Sequence, residues 1–291
     1  MDWGFFIGTV IAGVFCGLMY ALVAIGFVLI YKTSGVLNFA QGAMVLFAAL
    51  TFVSLHEDGL PFWLAFLITF AVMIVVGILI ESLVLRPLVN QPPITLFMAT
   101  LGLSYVIEGT AELVWGTQVH ALDLGIDNMP LPIPNILVSE FDLFCAGVAG
   151  TLVAALTVLF RFTRLGLAFR AAAEDQYAAL TTGLPLPKIW AAVWSVAGFV
   201  ALVAGLLWGA RTGVQFSLSL VVLKSLPVLV IGGFDSIPGA IIGGLLVGVT
   251  ETLGEVYVGG GIDQWIAYVG ALVFLLIRPT GLFGQRSVER A

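Results

Sequence analysis

Apolar runs recur along the whole chain, separated by short polar breaks. Each is about the length that an α-helix needs to cross ~30 Å of hydrocarbon. Reading runs against breaks predicts eight or nine spans, near 5–30, 38–54, 62–85, 94–115, 143–160, 189–210, 215–233, 237–256 and 262–278. Most lack the polar stripe of an amphipathic soluble helix. No long polar block leaves room for a separate soluble domain. The expected fold is therefore all-α, a polytopic transmembrane helix bundle forming one domain over residues 1–291. The stretch 215–256 is the hardest to divide. It is rich in glycine, carries Lys224, and is expected to break at Pro227 and again between Gly232 and Pro238. Small residues stand four apart at Gly13 and Gly17, Gly205 and Gly209, Gly239 and Gly243, and Gly244 and Gly248. Such pairs let helix backbones approach closely in lipid, where apolar burial drives nothing.

Composition agrees with a membrane solvent. Hydrophobic residues make up 60% of the chain and charged residues 10%, with a mean hydropathy of +1.13. A soluble domain carries about 25% charged residues. The placement of Lys and Arg then orients the spans. Lys32 follows the first, Arg86 the third, and Arg161, Arg164, Arg170 and Lys188 surround the connection after the fifth. Arg278, Arg286 and Arg290 close the chain, leaving Arg211 and Lys224 as the basic residues placed elsewhere. The alternate loops are acidic, with Glu57 and Asp58, then Asp123, Asp127, Glu140 and Asp142 in a 116–142 stretch without Lys or Arg. The positive-inside rule puts the basic loops and the C-terminus in the cytoplasm. In that topology Trp3, Trp63, Trp115, Trp208 and Trp265 fall at outer helix ends, and Trp190 and Trp194 at an inner one, as interfacial indoles should. Met1-Asp2-Trp3 has no basic n-region, so the first run is expected to be a retained helix rather than a signal peptide. Cys16 and Cys145 sit in or beside apolar runs and read as packing residues.

The sequence carries no phosphate-binding loop, no H-E-x-x-H and no paired C-x-x-C. His56 and His120, the only histidines, fall in outer loops or helix ends and read as solvated. The chain is thus not expected to be an enzyme or to bind a cofactor, and any ATP and Mg would bind to other chains. Two segments place polar residues between glycines and apolar runs, and single out Asn38, Gln41, Asp235 and Ser236. Such segments are either tight turns between helices or broken helices lining a path for polar solutes. The stretches Ile30–Leu46 and Val230–Leu246 look loosely alike, which hints at an internal duplication. Glu108 with Glu112, and Glu251 with Glu255, are four apart on helix faces. They either face a pathway mouth or reach headgroup water. Lys224 lies deeper and is placed to pair with one of these acids or with a partner chain. The longest basic connection, Arg161–Lys188, holds four of the eleven basic residues. Leu167 to Leu180 predicts a short helix, stopped by Gly183 and Pro185. It reads either as an ordinary amphipathic loop helix or as a surface made to be gripped.

Six segments in order, spread over nearly the whole chain, resemble the branched-chain amino acid ABC permeases of the LivH type. They are Gly35-Val36-Leu37-Asn38-Phe39-Ala40-Gln41-Gly42, Glu81-Ser82-Leu83-Val84-Leu85-Arg86-Pro87-Leu88, and Ala99-Thr100-Leu101-Gly102-Leu103-Ser104. Then follow Thr163-Arg164-Leu165-Gly166 through Glu174-Asp175 to Gly183-Leu184, Ile231-Gly232-Gly233-Phe234-Asp235-Ser236-Ile237-Pro238-Gly239-Ala240, and Arg278-Pro279-Thr280-Gly281-Leu282-Phe283-Gly284. The resemblance implies a permease working with a second homologous permease, two ATPase subunits and an extracytoplasmic substrate-binding protein. It implies that Arg164, Arg170, Glu174, Asp175 and Gly183 belong to a cytoplasmic coupling helix seated in a groove of an ATPase. Besides branched-chain amino acids, urea or short amides remain candidate substrates, and a passive small-solute channel remains the rival without ATPase partners. Membrane lipid is the expected surrounding, and nucleic acid is not an expected partner.

Overall fold

The computed structural model describes residues 3–88, 91–126, 129–130, 138–174, 176–181 and 183–284. Asp127, Asp175, Arg286 and Arg290 therefore lie outside the described residues. Among those residues the chain forms α1 (Trp3–Ser34), α2 (Gln41–Glu57), α3 (Phe62–Leu79), α4 (Pro93–Trp115), α5 (Glu140–Phe162), α6 (Arg164–Glu174), α7 (Gln176–Thr181), α8 (Leu186–Thr212), α9 (Val221–Gly232), α10 (Ile237–Tyr257) and α11 (Ile266–Ile277), with no strand. The predicted runs all appear as helices. Six are long and apolar enough to cross a membrane: α1, α3 with its extension to Leu88, α4, α5, α8 and α10. The other three, Gln41–Glu57, Phe216–Gly232 and Ile266–Ile277, are apolar but shorter. The chain is a multi-pass membrane protein.

Three local expectations change. Pro227 does not break its segment, because α9 runs from Val221 through it to Gly232. Proline removes one backbone donor, a loss that membrane helices tolerate. The break comes at Gly233, whose φ of +103° ends the helix. Second, the predicted Leu167–Leu180 helix begins earlier, at Arg164, and is described over α6 and α7. The earlier start follows from Thr163, whose Oγ1 accepts a hydrogen bond from the Gly166 amide at 3.1 Å, a side-chain cap that the alanine-rich pattern downstream does not reveal. Third, α3 continues as a π-helical turn, Ile80–Leu85, and a 3-10 turn, Arg86–Leu88.

The chain divides into two compact units. The first comprises Met1–Val28, Gly125–Ala154 and Leu223–Ala291. Here two of the small-residue pairs face each other. A Cβ on Gly13 would lie 2.7 Å from Val249 Cα, and one on Gly17 would lie 2.9 Å from Leu245 Cα. From the other side, a Cβ on Gly244 would meet the Gly17 carbonyl at 2.6 Å. Helices α1 and α10 thus touch backbone to backbone. Gly17→Ala is expected to cost about 1–3 kcal/mol by overpacking. It should lower the thermal midpoint of the detergent-purified protein, whereas Gly102→Ala, with no atom within 4 Å of the added methyl, should not.

The second unit comprises Leu29–Leu124 and Ala155–Val222. Its centre is α8, which packs on α2 and α3. Gly77 of α3 sits against the Trp194 backbone, where a Cβ would lie 2.9 Å from the carbonyl carbon, and a Cβ on Gly205 of α8 would lie 2.6 Å from Val45 O. This packing overturns the interfacial assignment of three tryptophans. Trp190, Trp194 and Trp208 are buried in the core, while Trp3, Trp63 and Trp265 remain exposed. These three indoles pack inside the unit, so position near a helix end does not by itself place a tryptophan at a headgroup. His120 also differs from the solvated loop residue expected. Its Nδ1 lies 3.0 Å from Glu57 Oε2, and its backbone exchanges two hydrogen bonds with Val214.

Candidate functional site

The first predicted segment, Gly35–Gln41, is a non-helical link between α1 and α2, within the second unit. Gly35 has φ +70° and ends α1. Asn38 Oδ1 then accepts from the Ala40 amide at 3.1 Å and sets the turn into α2. Its Nδ2 donates to Gln41 Oε1 at 3.3 Å and points at Met44 Sδ at 3.7 Å. Gln41 Nε2 donates onward to the Ala197 carbonyl of α8 at 3.4 Å. Both side chains are fully buried. The link's own carbonyls are also met. Thr100 Oγ1 of α4 donates to Leu37 O at 3.1 Å, and Trp190 Nε1 of α8 donates to Thr33 O at 3.3 Å. Non-helical backbone at membrane depth needs such partners. Thr100 and Trp190 were not singled out from the sequence as members of this site, because a hydroxyl and an indole that serve distant carbonyls leave no local signal.

The second segment, Gly232–Gly239, belongs to the first unit and is built on the same local plan. A glycine with positive φ, Gly233, ends α9, and three residues later Ser236 caps the next helix by accepting from the Gly239 amide at 3.0 Å. In both segments a positive-φ glycine is followed three residues later by a polar side chain that accepts a backbone amide, though only Ser236 caps the helix that follows. Asp235 is half-buried and Ser236 is buried. The turn is clasped from outside by the C-terminal segment. Leu282 N donates to Ile231 O at 2.8 Å and Phe283 N to Gly232 O at 3.1 Å. A Cβ on Gly233 would meet Gly284 N at 2.7 Å, which explains why glycines face each other here.

The third segment is α6–α7, in the second unit. Phe169 stacks on Phe160 with ring centroids 5.1 Å apart, and Gly166 lies against the last carbonyls of α5. Arg170, expected on the docking face, reaches back instead. Its Nη2 donates to Arg161 O at 3.2 Å, so it fixes α6 to the end of α5. Arg164 and Glu174 are exposed, and so is Gly183, with φ +82°. Gly183 N bonds Leu180 O at 3.0 Å and Leu184 N bonds Ala179 O at 3.1 Å, the paired pattern of a Schellman stop. Leu165, Leu167 and Leu180 are 57%, 61% and 53% exposed. The sequence reading weighed the charges of this helix and passed over these leucines.

Two charged groups lie within apolar helices. Glu81 is 1% exposed and forms a two-pronged bridge with Arg86, at 3.2 Å to Nε and 2.8 Å to Nη2. Five residues separate them, the spacing that a π turn brings onto one face. The α-helical periods of three and four hid it. In the first unit, Glu251 is 5% exposed and Oε2 accepts from Tyr20 at 2.8 Å. Lys224 Nζ lies 3.6 Å from the same oxygen and 3.3 Å from Asp263 Oδ2. The pairing of Lys224 with a membrane acid holds, and Glu251 does not reach headgroup water. Glu255 and Glu112 are exposed and Glu108 is half-buried.

The profile of the family described as branched-chain amino acid transport system / permease component matches residues 9–277. The chain belongs to this family. The high-affinity branched-chain amino acid transport system permease protein LivH of Salmonella typhimurium is 28% identical, with 98% of each chain covered. The corresponding protein BraD of Pseudomonas aeruginosa is 29% identical, again over 98% of each. A probable branched-chain amino acid transport permease of Methanocaldococcus jannaschii is 30% identical, covering 91% of this permease and 89% of its own length. Among solved structures, PsaBC from Streptococcus pneumoniae in complex with Fab aligns with 95% of this permease and 91% of its own chain, at 12% identity and a TM-score of 0.48.

Proposed function

We propose that this permease is the membrane-spanning subunit of an ATP-driven importer of branched-chain amino acids in a bacterial inner membrane, with its C-terminus in the cytoplasm. The observation that carries the proposal is the family match over 9–277, joined by relatives named for that transport along almost their full length. A second homologous permease, two ATPases that bind ATP and Mg, and an extracytoplasmic binding protein complete the machine. Asn38 and Gln41 in one unit, and Asp235 and Ser236 in the other, mark the helix breaks where a polar path opens. The exposed leucines of α6–α7, with Arg164, Glu174 and Gly183, form the face that docks on an ATPase, and Arg170 anchors that face. Exposed apolar side chains on a short helix outside the spans favour this over a passive channel, which has no groove to fill.

The test is reconstitution of the chain with the proteins that co-purify from native membranes. Radiolabelled leucine uptake should require internal-face ATP and fall when unlabelled isoleucine or valine is added. Uptake of labelled urea or acetamide should stay at the level of empty vesicles. Leucine uptake that proceeds equally without ATP would overturn the proposal in favour of a channel.

A further inference from the structure

We propose that Lys224, Glu251 and Asp263 form a site that takes the charged end of a zwitterionic amino acid inside the permease. The proposal rests on the import function above and adds where the solute is held. The cluster joins four elements of one unit: Tyr20 on α1, Lys224 on α9, Glu251 on α10 and Asp263 in the Ile262–Gln264 turn before α11. A purely structural ion pair inside a membrane satisfies its own charges, because each unsatisfied one is costly. This cluster does not close on itself. Two carboxylates share one ammonium, so one negative charge is left over. Tyr20 and Lys224 both address Oε2 of Glu251, and among the described residues no hydrogen bond is made to Oε1. The 3.6 Å from Lys224 to Glu251 exceeds hydrogen-bond reach, so among the described residues Lys224 makes one bond, to Asp263, out of the three its ammonium can donate. Lys224 and Asp263 are about one-third open, while Tyr20 and Glu251 close the floor.

Spare donors next to a surplus carboxylate match the two charges of an α-amino acid. The α-carboxylate takes the free donors of Lys224. The α-ammonium takes the surplus carboxylate through Glu251 Oε1 and Asp263. An apolar surface stands alongside. Ile262 and Ile266 pack against α10 at Gly254, three residues beyond Glu251, where an added Cβ would lie 3.2 and 2.9 Å from their methyl groups. The charged end of the solute would displace the internal pair, with the aliphatic side chains of Ile262 and Ile266 close by.

Two measurements on the reconstituted complex test the site. In the first, the purified complex without its binding protein is heated with L-leucine, with 4-methylpentanoate, which lacks the ammonium, or with 3-methylbutan-1-amine, which lacks the carboxylate. Leucine alone should raise the thermal midpoint. In the second, ATP-driven leucine uptake is measured for Lys224→Met, Lys224→Arg and Glu251→Gln. Lys224→Met and Glu251→Gln should lose the thermal shift and raise the uptake KM about tenfold, the loss of one charge pair. Lys224→Arg should keep both properties within about threefold. Glu251→Gln retains the acceptor for Tyr20 and the side-chain volume, so it reports on charge even where Lys224→Met fails to fold. Unchanged KM in Glu251→Gln, or equal protection by either analogue, would overturn the site while leaving the import function standing. A wild-type complex that imports no leucine would remove the import function itself.

Discussion

Replacing Gly183 with leucine is expected to abolish substrate-stimulated ATPase activity while leaving the helices in the membrane intact. No atom lies within 4 Å of the place a Cβ would occupy, so the substitution meets no clash. Its cost comes from φ +82°, a backbone conformation that a leucine pays about 1–2 kcal/mol to adopt. The Schellman stop formed by Gly183 and Leu184 then loosens, and α7 no longer ends where the chain turns toward Pro185 and α8. Gly183→Asn is the matching control, because asparagine tolerates the left-handed region. It should retain most of the stimulation. Glu174→Arg and Leu167→Ser act on the docking face itself. Each should weaken co-purification with the ATPases, by about 1–3 kcal/mol for a charge desolvated on docking. Phe169 and Arg170, which hold α6 on α5, are untouched by these changes. Basal ATPase activity and stimulation are measured on the same reconstituted sample. Wild-type stimulation in Gly183→Leu, Glu174→Arg and Leu167→Ser alike would sink the coupling role of α6–α7.

The helices were legible in the sequence because membrane solvent writes the same message at almost every position of a span. Their ends were legible where glycine or proline punctuates the run, as at Gly35, Gly183 and Gly233. What escaped was set by contacts between distant residues. Pro227 looked like a break, yet α9 passes through it. Trp190 and Trp194 looked interfacial until Gly77 and Thr33 placed them in the core. The Glu81–Arg86 pair was hidden because its five-residue spacing meets only on a π turn. The site shows the same division. Asn38, Gln41, Asp235 and Ser236 stood out as polar residues at breaks; Ser236 proves to cap the helix that follows, and Asn38 sets the turn ahead of α2. The groups that support the first break, Thr100 on the Leu37 carbonyl, Trp190 on the Thr33 carbonyl and the Ala197 carbonyl facing Gln41, lie 63, 157 and 156 residues from their partners in sequence, and no period or motif links them.

Asn38→Leu is expected to reduce leucine uptake severely, and the way it does so separates two roles for the first helix break. Leucine fits the volume but removes Oδ1, which holds the Ala40 amide, and Nδ2, which serves Gln41. Both orphaned groups lie in a fully buried site, so each costs about 1–3 kcal/mol. Asn38→Asp keeps the acceptor for Ala40 but loses the donor to Gln41 and buries a carboxylate without a partner, so it should cost at least as much as Asn38→Leu. Gln41→Leu removes the other end of the same bond and its link to Ala197. If Asn38 and Gln41 act as one buried bracket, the double variant Asn38→Leu/Gln41→Leu is less destabilised than the two single losses combined. The coupling should exceed about 0.5 kcal/mol. Thermal unfolding of the purified protein and uptake per folded complex are measured together. A loss of uptake that tracks the loss of folded complex assigns Asn38 to holding α1, α2 and α8 in register. A loss of uptake per folded complex in these variants assigns it to the path that opens at this break. Full uptake in every one of these variants would leave the break as a turn with no part in transport.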